Sequence, residues 1–251
     1  KAIRRQRQMC IRDSYKDVLR RQAVVNAGLT LNFTDEKEKD PATGKPWKES
    51  WCYQNGIADY VRELTGEEAL TDVQVWSAER RGRDRADKPE YKVKLNVALC
   101  FSNKHNLLEY YHNSSWLEHG GAPEKAVRSA FVSQVDAYLK QNGRYLKNES
   151  KISFQDIQDC LVLVSSSFST QTSYENQTKK AITNKFIQEA MTEFFREQLE
   201  IYFIEHKTDA DRVMEQVLIN KRSREKAETT RLNLKNCLLY TSPSPRDRTR
   251  S

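Results

Sequence analysis

The 251-residue chain has no run of about 18 consecutive apolar residues, so no segment reads as a membrane-spanning helix. Residues 1–14 are basic without an apolar centre, so no secretory signal is expected in that stretch. Cysteine is sparse and odd in number. Cys10, Cys52, Cys100, Cys160 and Cys237 are scattered, with no CxxC pair, so neither a zinc site nor a disulfide framework is indicated. Buried free thiols in a reducing cytoplasm are the expectation. The four histidines are also dispersed. His119 has the best claim to a role, and a solvated or packed imidazole is the simpler reading even there.

A basic excess is missing once the ends are set aside. MCIRDS (9–14) and CLLYTSPSPRD (237–247) resemble translated sequencing-adapter read-through, which marks 1–14 and 237–251 as non-native tails. Residues 1–14 contribute +4 and residues 237–251 contribute +2 of the total +7, so residues 15–236 carry +1. The pI near 9.1 is an end effect, not the footprint of a nucleic-acid binder.

What is present is a mixed pattern. YKDVLRRQAVVNA (15–27) reads as a short helix stopped by Gly28, and LTLNF (29–33) as a strand. TDEKEKDPATGKPWKES (34–50) reads as a polar loop. The segment 53–66 enters a helix with Ile57, Tyr60, Val61 and Leu64 on one side. DVQVWSAER (72–80) reads as a strand and 80–90 as a charged hairpin connection. YKVKLNVALCF (91–101) alternates cleanly, so it predicts a half-buried antiparallel strand. SNKHNLLEYYHNSSWLEHGGAP (102–123) reads as a loop leading to a helix over 124–141, whose stripe is Ala126, Val127, Ala130, Phe131, Val135 and Tyr138. Ser153 and Asp156 have capping-box spacing, and CLVLVSSSF (160–168) is a second strong strand. Helices follow over 184–207, with an apolar face over 186–204 that seeks a partner, and over 209–235, with a seam of Val213, Val217 and Leu218. No internal repeat occurs, and the element list predicts one α+β unit.

One stretch raises a chemical question. YENQTKKAITNK (174–185) puts Gln177, Lys179 and Lys180 between a strand and a helix. Lysine, an amide and a helix N-terminus suit phosphate oxygens. A solvated loop with an ordinary lysine pair fits the same residues.

The order of motifs carries more than this one does. Tyr174-Glu175-Asn176-Gln177-Thr178-Lys179, then Ile182-Thr183-Asn184, resembles the QTK loop of type IIA DNA topoisomerase ATPase subunits, the B subunits of bacterial DNA gyrase and topoisomerase IV. YQNGIADYV, HGGAPEKAVRSAFVSQVDAY, DIQDCLVLVSSS and RSREKAE resemble further family segments, in the family's order, across most of residues 15–236. Asn176 departs from a frequent Gly, and Ala122-Pro123 from a frequent Thr-His. The resemblance implies the transducer domain, an α+β fold with a mixed sheet, a left-handed βαβ crossover and a long C-terminal helix. It implies that Lys179 contacts the ATP γ-phosphate with Gln177 assisting, and that Arg128 faces the cavity through which DNA passes; a solvated helix charge is the other reading of Arg128. Lys180 is expected to be solvated. For the intact enzyme the resemblance implies ATP and Mg²⁺ bound mainly outside this segment, a homodimer of B subunits, a topoisomerase A subunit, double-stranded DNA and a cytoplasmic bacterial setting. The GHKL catalytic elements and the acidic TOPRIM cluster are not in the sequence, so the segment alone is expected to be inactive. Two other readings stay open here, a MutL-like second domain and a non-enzymatic helical scaffold over 184–235.

Overall fold

The computed structural model describes residues 2–39, 41 and 44–241, with side chains described within residues 11–232 of that range. Its elements run α1 (Ala2–Val25), β1 (Leu31–Lys39), β2 (Pro46–Trp51), α2 (Ile57–Thr65), β3 (Gln74–Gly82), β4 (Tyr91–Phe101), β5 (Leu107–His112), β6 (Ser115–Trp116), α3 (Ala122–Gln141), α4 (Phe154–Gln158), β7 (Leu161–Ser169), α5 (Lys185–Glu205) and α6 (Lys207–Thr241). α1 runs through the residues read as an N-terminal tail. Of the other suspected tail, residues 242–251 lie outside the described residues.

A five-stranded mixed sheet, ordered β3-β4-β7-β5-β6, organises the chain. β4 lies antiparallel to both β3 and β7, with Leu99 opposite Gln74 and Leu163. β7 pairs parallel with β5, and the connection between them carries α3 and α4. One alternate set of β4, Tyr91 to Phe101, is buried against α3 and α5, as its spacing predicts. The other set starts exposed at Lys92, Lys94 and Asn96, then turns buried at Ala98 and Cys100, where α1 and α2 cover the sheet. Each large apolar side chain buried in this way contributes about 1.5–3 kcal/mol.

α3 presents small residues, Ala126 and Ala130, beside Phe131, so α5 can approach closely, and Phe131 meets Phe195 with ring centroids 5.8 Å apart. The expected unpartnered face of α5 is largely covered. Phe194, Leu199, Tyr202 and Phe203 are buried in the core, and only Ile201 and Ile204 remain exposed. The cap also forms: Asp156 accepts the Ser153 backbone N–H at 2.7 Å and the Ser153 hydroxyl at 2.9 Å. The same carboxylate receives Arg224 of α6 at 2.7 Å, which ties the long helix to the strand entry.

Two expected loops are strands. Within residues 34–50, 34–39 continue β1 and 46–50 form most of β2, and the two strands pair antiparallel. This pairing was invisible because the ladder is polar: only every second residue is half-buried, with Lys16 of α1 lying 5.7 Å above both the Phe33 and Trp47 rings. Residues 102–123 contain β5 and β6. β5 is buried on both faces, as parallel strands are, so it shows no alternation. Its Glu109 is buried and accepts the Tyr111 hydroxyl at 2.8 Å. Cys100 and Cys160 are buried free thiols as expected, whereas Cys52 is exposed; the Cys10 and Cys237 side chains lie outside the described residues. No helix among the described residues is long and apolar enough to cross a membrane.

Candidate functional site

The stretch 173–183 is a small hairpin, not a direct strand-to-helix turn. Its legs pair through the Glu175 N–H donating to the Ala181 carbonyl at 3.0 Å and the Thr183 N–H donating to the Ser173 carbonyl at 2.8 Å. The tip, 176–180, is turned by Asn176. Its side-chain oxygen accepts the Thr178 N–H at 3.1 Å, and its carbonyl accepts the Lys179 N–H at 3.2 Å. That is an Asx turn, which asparagine makes and glycine cannot, so the departure at 176 is compatible with the loop. Lys179 sits at φ +57°, a left-handed conformation that costs a non-glycine residue about 1–2 kcal/mol.

The hairpin leans on the start of α3. Ile182 bridges Gly121, the Ala122 N–H donates to the Ile182 carbonyl at 2.8 Å, and the His119 N–H donates to the Lys180 carbonyl at 2.9 Å. A Cβ on Gly121 would collide with the Ile182 carbonyl oxygen, and Gly121 has φ +78°. The Gly-Gly pair is thus a close-approach device, and Pro123 beside it fits a helix N-terminus that needs no N–H there.

A second pin stands where α5 begins. Asn184 is 2 % exposed. It accepts the Ser173 N–H at 2.7 Å and donates to Asp84 at 2.9 Å and the Tyr91 hydroxyl at 3.1 Å. Asp84 also accepts the Phe186 N–H at 3.0 Å. The first turn of α5 is therefore already capped by an aspartate, and the expected contribution of that helix N-terminus to an anion site is not what the geometry supplies. Asp84 came from the connection read only as charged, and no motif marked it.

The predicted side chains separate clearly. Gln177 and Lys179 are exposed at the tip, and among the described residues Lys179 has no ion-pair partner, only the Tyr174 ring 5.6 Å below its Nζ. Lys180, expected to be solvated, has its side chain 42 % exposed and pairs at the surface with Glu118, and this contact holds the Glu118 carboxyl below its usual range. Arg128 lies on α3 with its side chain 55 % exposed, bonded to Glu124 at 3.0 Å and stacked 4.7 Å over the Phe154 ring. His119 is exposed. The buried imidazole is His112, which sequence reasoning passed over inside the supposed loop. Asn-Ser at 113–114, between an aromatic run and Ser-Trp, was the hairpin signal that would have found it. No group of three or more His, Cys, Asp or Glu able to hold a metal occurs among the described residues.

The DNA gyrase B family model matches residues 56–233, more than two thirds of the chain. The chain belongs to the DNA gyrase B family. The gyrase B protein of Metamycoplasma arthritidis is 30% identical over 211 residues, which is 83% of this chain and 32% of that protein. Its Campylobacter jejuni counterpart is 27% identical, over 84% of this chain and 26% of its own length. The chain thus spans about a third of the curated relatives it matches. Among solved structures, the 43K ATPase domain of Thermus thermophilus gyrase B, in complex with an aminocoumarin, is similar at TM-score 0.61 and 23% identity, covering 87% of this chain and 55% of that one. The gyrase B structure from Myxococcus xanthus is similar at TM-score 0.59 and 16% identity, covering 82% of this chain and 53% of that one. These likenesses place the α+β fold with its mixed sheet among gyrase B ATPase-region folds, and family membership removes the MutL-like reading.

Proposed function

We propose that residues 15–236 are the transducer portion of a type IIA topoisomerase B subunit, and that Lys179 reads the terminal phosphate of ATP with Gln177 assisting. The observation that carries this is the isolation of the Lys179 ammonium and the Gln177 amide at the exposed tip of a hairpin whose legs are fixed. Cation and amide are the donor types that phosphate oxygens take. The residues fit a nucleotide's terminal phosphate and do not fit the Mg²⁺, which falls to residues outside this segment. When bound, ATP supplies a γ-phosphate that ADP lacks. Lys179 then interacts differently with the two nucleotides, and only such a difference can bias a domain arrangement.

In this reading the fixed base transmits the position of the tip. The leg 181–183 hangs from the start of α3 and runs on into α5, which packs against both α3 and α6. Arg224 on Asp156 ties α6 to α4, the short helix that leads into β7. The intact subunit would use this linkage in an ATP-dependent DNA topoisomerase, a homodimer of B subunits acting with A subunits on double-stranded DNA in the bacterial cytoplasm. Arg128, braced by Glu124 and Phe154, would turn its remaining donors to DNA phosphates. The segment alone would neither hydrolyse ATP nor cleave DNA.

The test is ATP turnover by the full-length subunit with its partner and DNA, wild type against Lys179→Ala. Turnover should fall about 100-fold, roughly 3 kcal/mol, with nucleotide affinity largely kept. Unchanged turnover would reject the assignment of Lys179.

A further inference from the structure

His112 ends β5 on the core side of the sheet, entirely buried. Its two ring nitrogens face different parts of the molecule. Nδ1 lies 2.8 Å from the Ser167 hydroxyl on β7, and Nε2 lies 2.8 Å from the Thr172 hydroxyl, the residue just before the Lys179 hairpin. The proton is assigned from the partners' own bonds. With the Ser167 hydroxyl donating to the Tyr111 carbonyl at 3.2 Å, its oxygen accepts from His112. Nδ1 therefore carries the hydrogen, and Nε2 is left to accept from Thr172. Ser169, 3.3 Å from Nε2, gives its own hydrogen to the Gln171 carbonyl at 2.7 Å.

Asn113 closes the arrangement. It donates to the Ser169 carbonyl at 3.0 Å and the Thr172 hydroxyl at 3.1 Å, and accepts the Ser169 N–H at 3.0 Å. Asn113 and Ser114 both have positive φ and form the two-residue turn between β5 and β6, so the clamp is held by a tight hairpin. One connected chain of bonds then runs from Asn113 through Thr172 and His112 to Ser167 and Tyr111. Burial holds the His112 imidazole neutral, with its pKa pushed down to about 4.

We infer that His112 is a positioning residue for the Lys179 hairpin: its Nδ1 grips the sheet, and its Nε2 holds Thr172 and thereby sets where the tip stands. The inference rests on the reading of Lys179 as the phosphate contact. It adds a residue type that no general need of the sheet explains, because the shortest bond of the far nitrogen goes to the loop residue Thr172 and not to the sheet. Ring stacking supports the same end, with Tyr174, the residue under Lys179, 6.5 Å from the imidazole in an edge-on arrangement.

Two isosteres separate the arms. In His112→Asn the amide falls where Nδ1 was, keeping Ser167 and losing Thr172. In His112→Gln the amide reaches the Nε2 position and keeps Thr172. Thr172→Val removes the loop arm with His112 untouched, and serves should the histidine variants fail to fold. All are made in the full-length subunit with its partner and DNA, beside Lys179→Ala. Hydrogen exchange of amides 173–183 is measured without nucleotide, then kcat and KM for ATP. His112→Asn and Thr172→Val should speed exchange in that segment about tenfold and lower kcat by a similar factor, the equivalent of one hydrogen bond, with KM little changed. His112→Gln should stay within about twofold of wild type. Equal behaviour of the Asn and Gln variants, or unchanged exchange in His112→Asn and Thr172→Val, would overturn the positioning role even where Lys179→Ala is inactive. Normal turnover by Lys179→Ala would overturn the reading of the tip and this role with it, whatever the exchange shows.

Discussion

The base and the tip of one short hairpin are built in opposite ways. At the base, Asn184 is buried and satisfied on both its oxygen and its nitrogen, Gly121 admits a backbone carbonyl at the distance a side chain would block, and His112 is sealed from water. At the tip, a few residues before Asn184, Lys179 holds a strained φ and an exposed charge. Buried polar groups are stabilising only when fully paired, whereas an exposed lysine contributes almost nothing to folding. Stability and recognition are thus separated along the chain. The base spends its hydrogen bonds on place, and in the proposed function the exposed donors of the tip serve a ligand.

Acid should break the contrast from the base side with the largest effect. His112 is neutral in the fold, with a pKa of about 4, against 6.5 for the free side chain. Between those values the unfolded chain binds a proton that the folded one does not. The stabilisation is complete above pH 6.5 and is lost as pH falls toward 4, by about 3 kcal/mol in all. Denaturant unfolding of the full-length subunit against its His112→Gln variant should show this loss in the wild type alone. A smaller effect belongs to the glycines. Gly121→Ala must carry both a positive φ and a collision with a backbone oxygen, while Gly143→Ala carries only a positive φ in open space. The expected costs are about 2–3 kcal/mol and about 1 kcal/mol. Equal costs from thermal unfolding would mean that the loop does not press on α3 as described.

Where a pattern has one physical cause, the sequence showed it. β4 alternates because one face is core, Ser153 and Asp156 cap because their spacing allows it, and α3, α5 and α6 show their buried stripes. β5 was hidden because burial on both faces erases alternation, and of the β1–β2 hairpin only the alternating start at Leu31 and Phe33 showed, because its mostly exposed remainder carries no apolar signal. The site divided in the same way. Gln177 and Lys179 stand out as a motif because they lie together in one short exposed loop. Lys180, beside them, is bound to Glu118, some sixty residues back, and Asp84 caps a helix that begins a hundred residues later. Such partners come together only through the fold. His112 was masked for both reasons, lying in a hidden strand with all its partners across the sheet or beyond it.

The proposed contact of Lys179 with the phosphate that distinguishes ATP from ADP is tested directly by the lysine's own reactivity. Acetylation of each lysine in the full-length subunit would be followed by mass spectrometry, with a non-hydrolysable ATP analogue or with ADP. Lys185, whose side chain is 74 % exposed, is the internal reference. The prediction is that the ATP analogue slows acetylation of Lys179 by about tenfold, as one charge-assisted contact would, while ADP and the reference site show no change. Equal reactivity of Lys179 with both nucleotides would contradict the account.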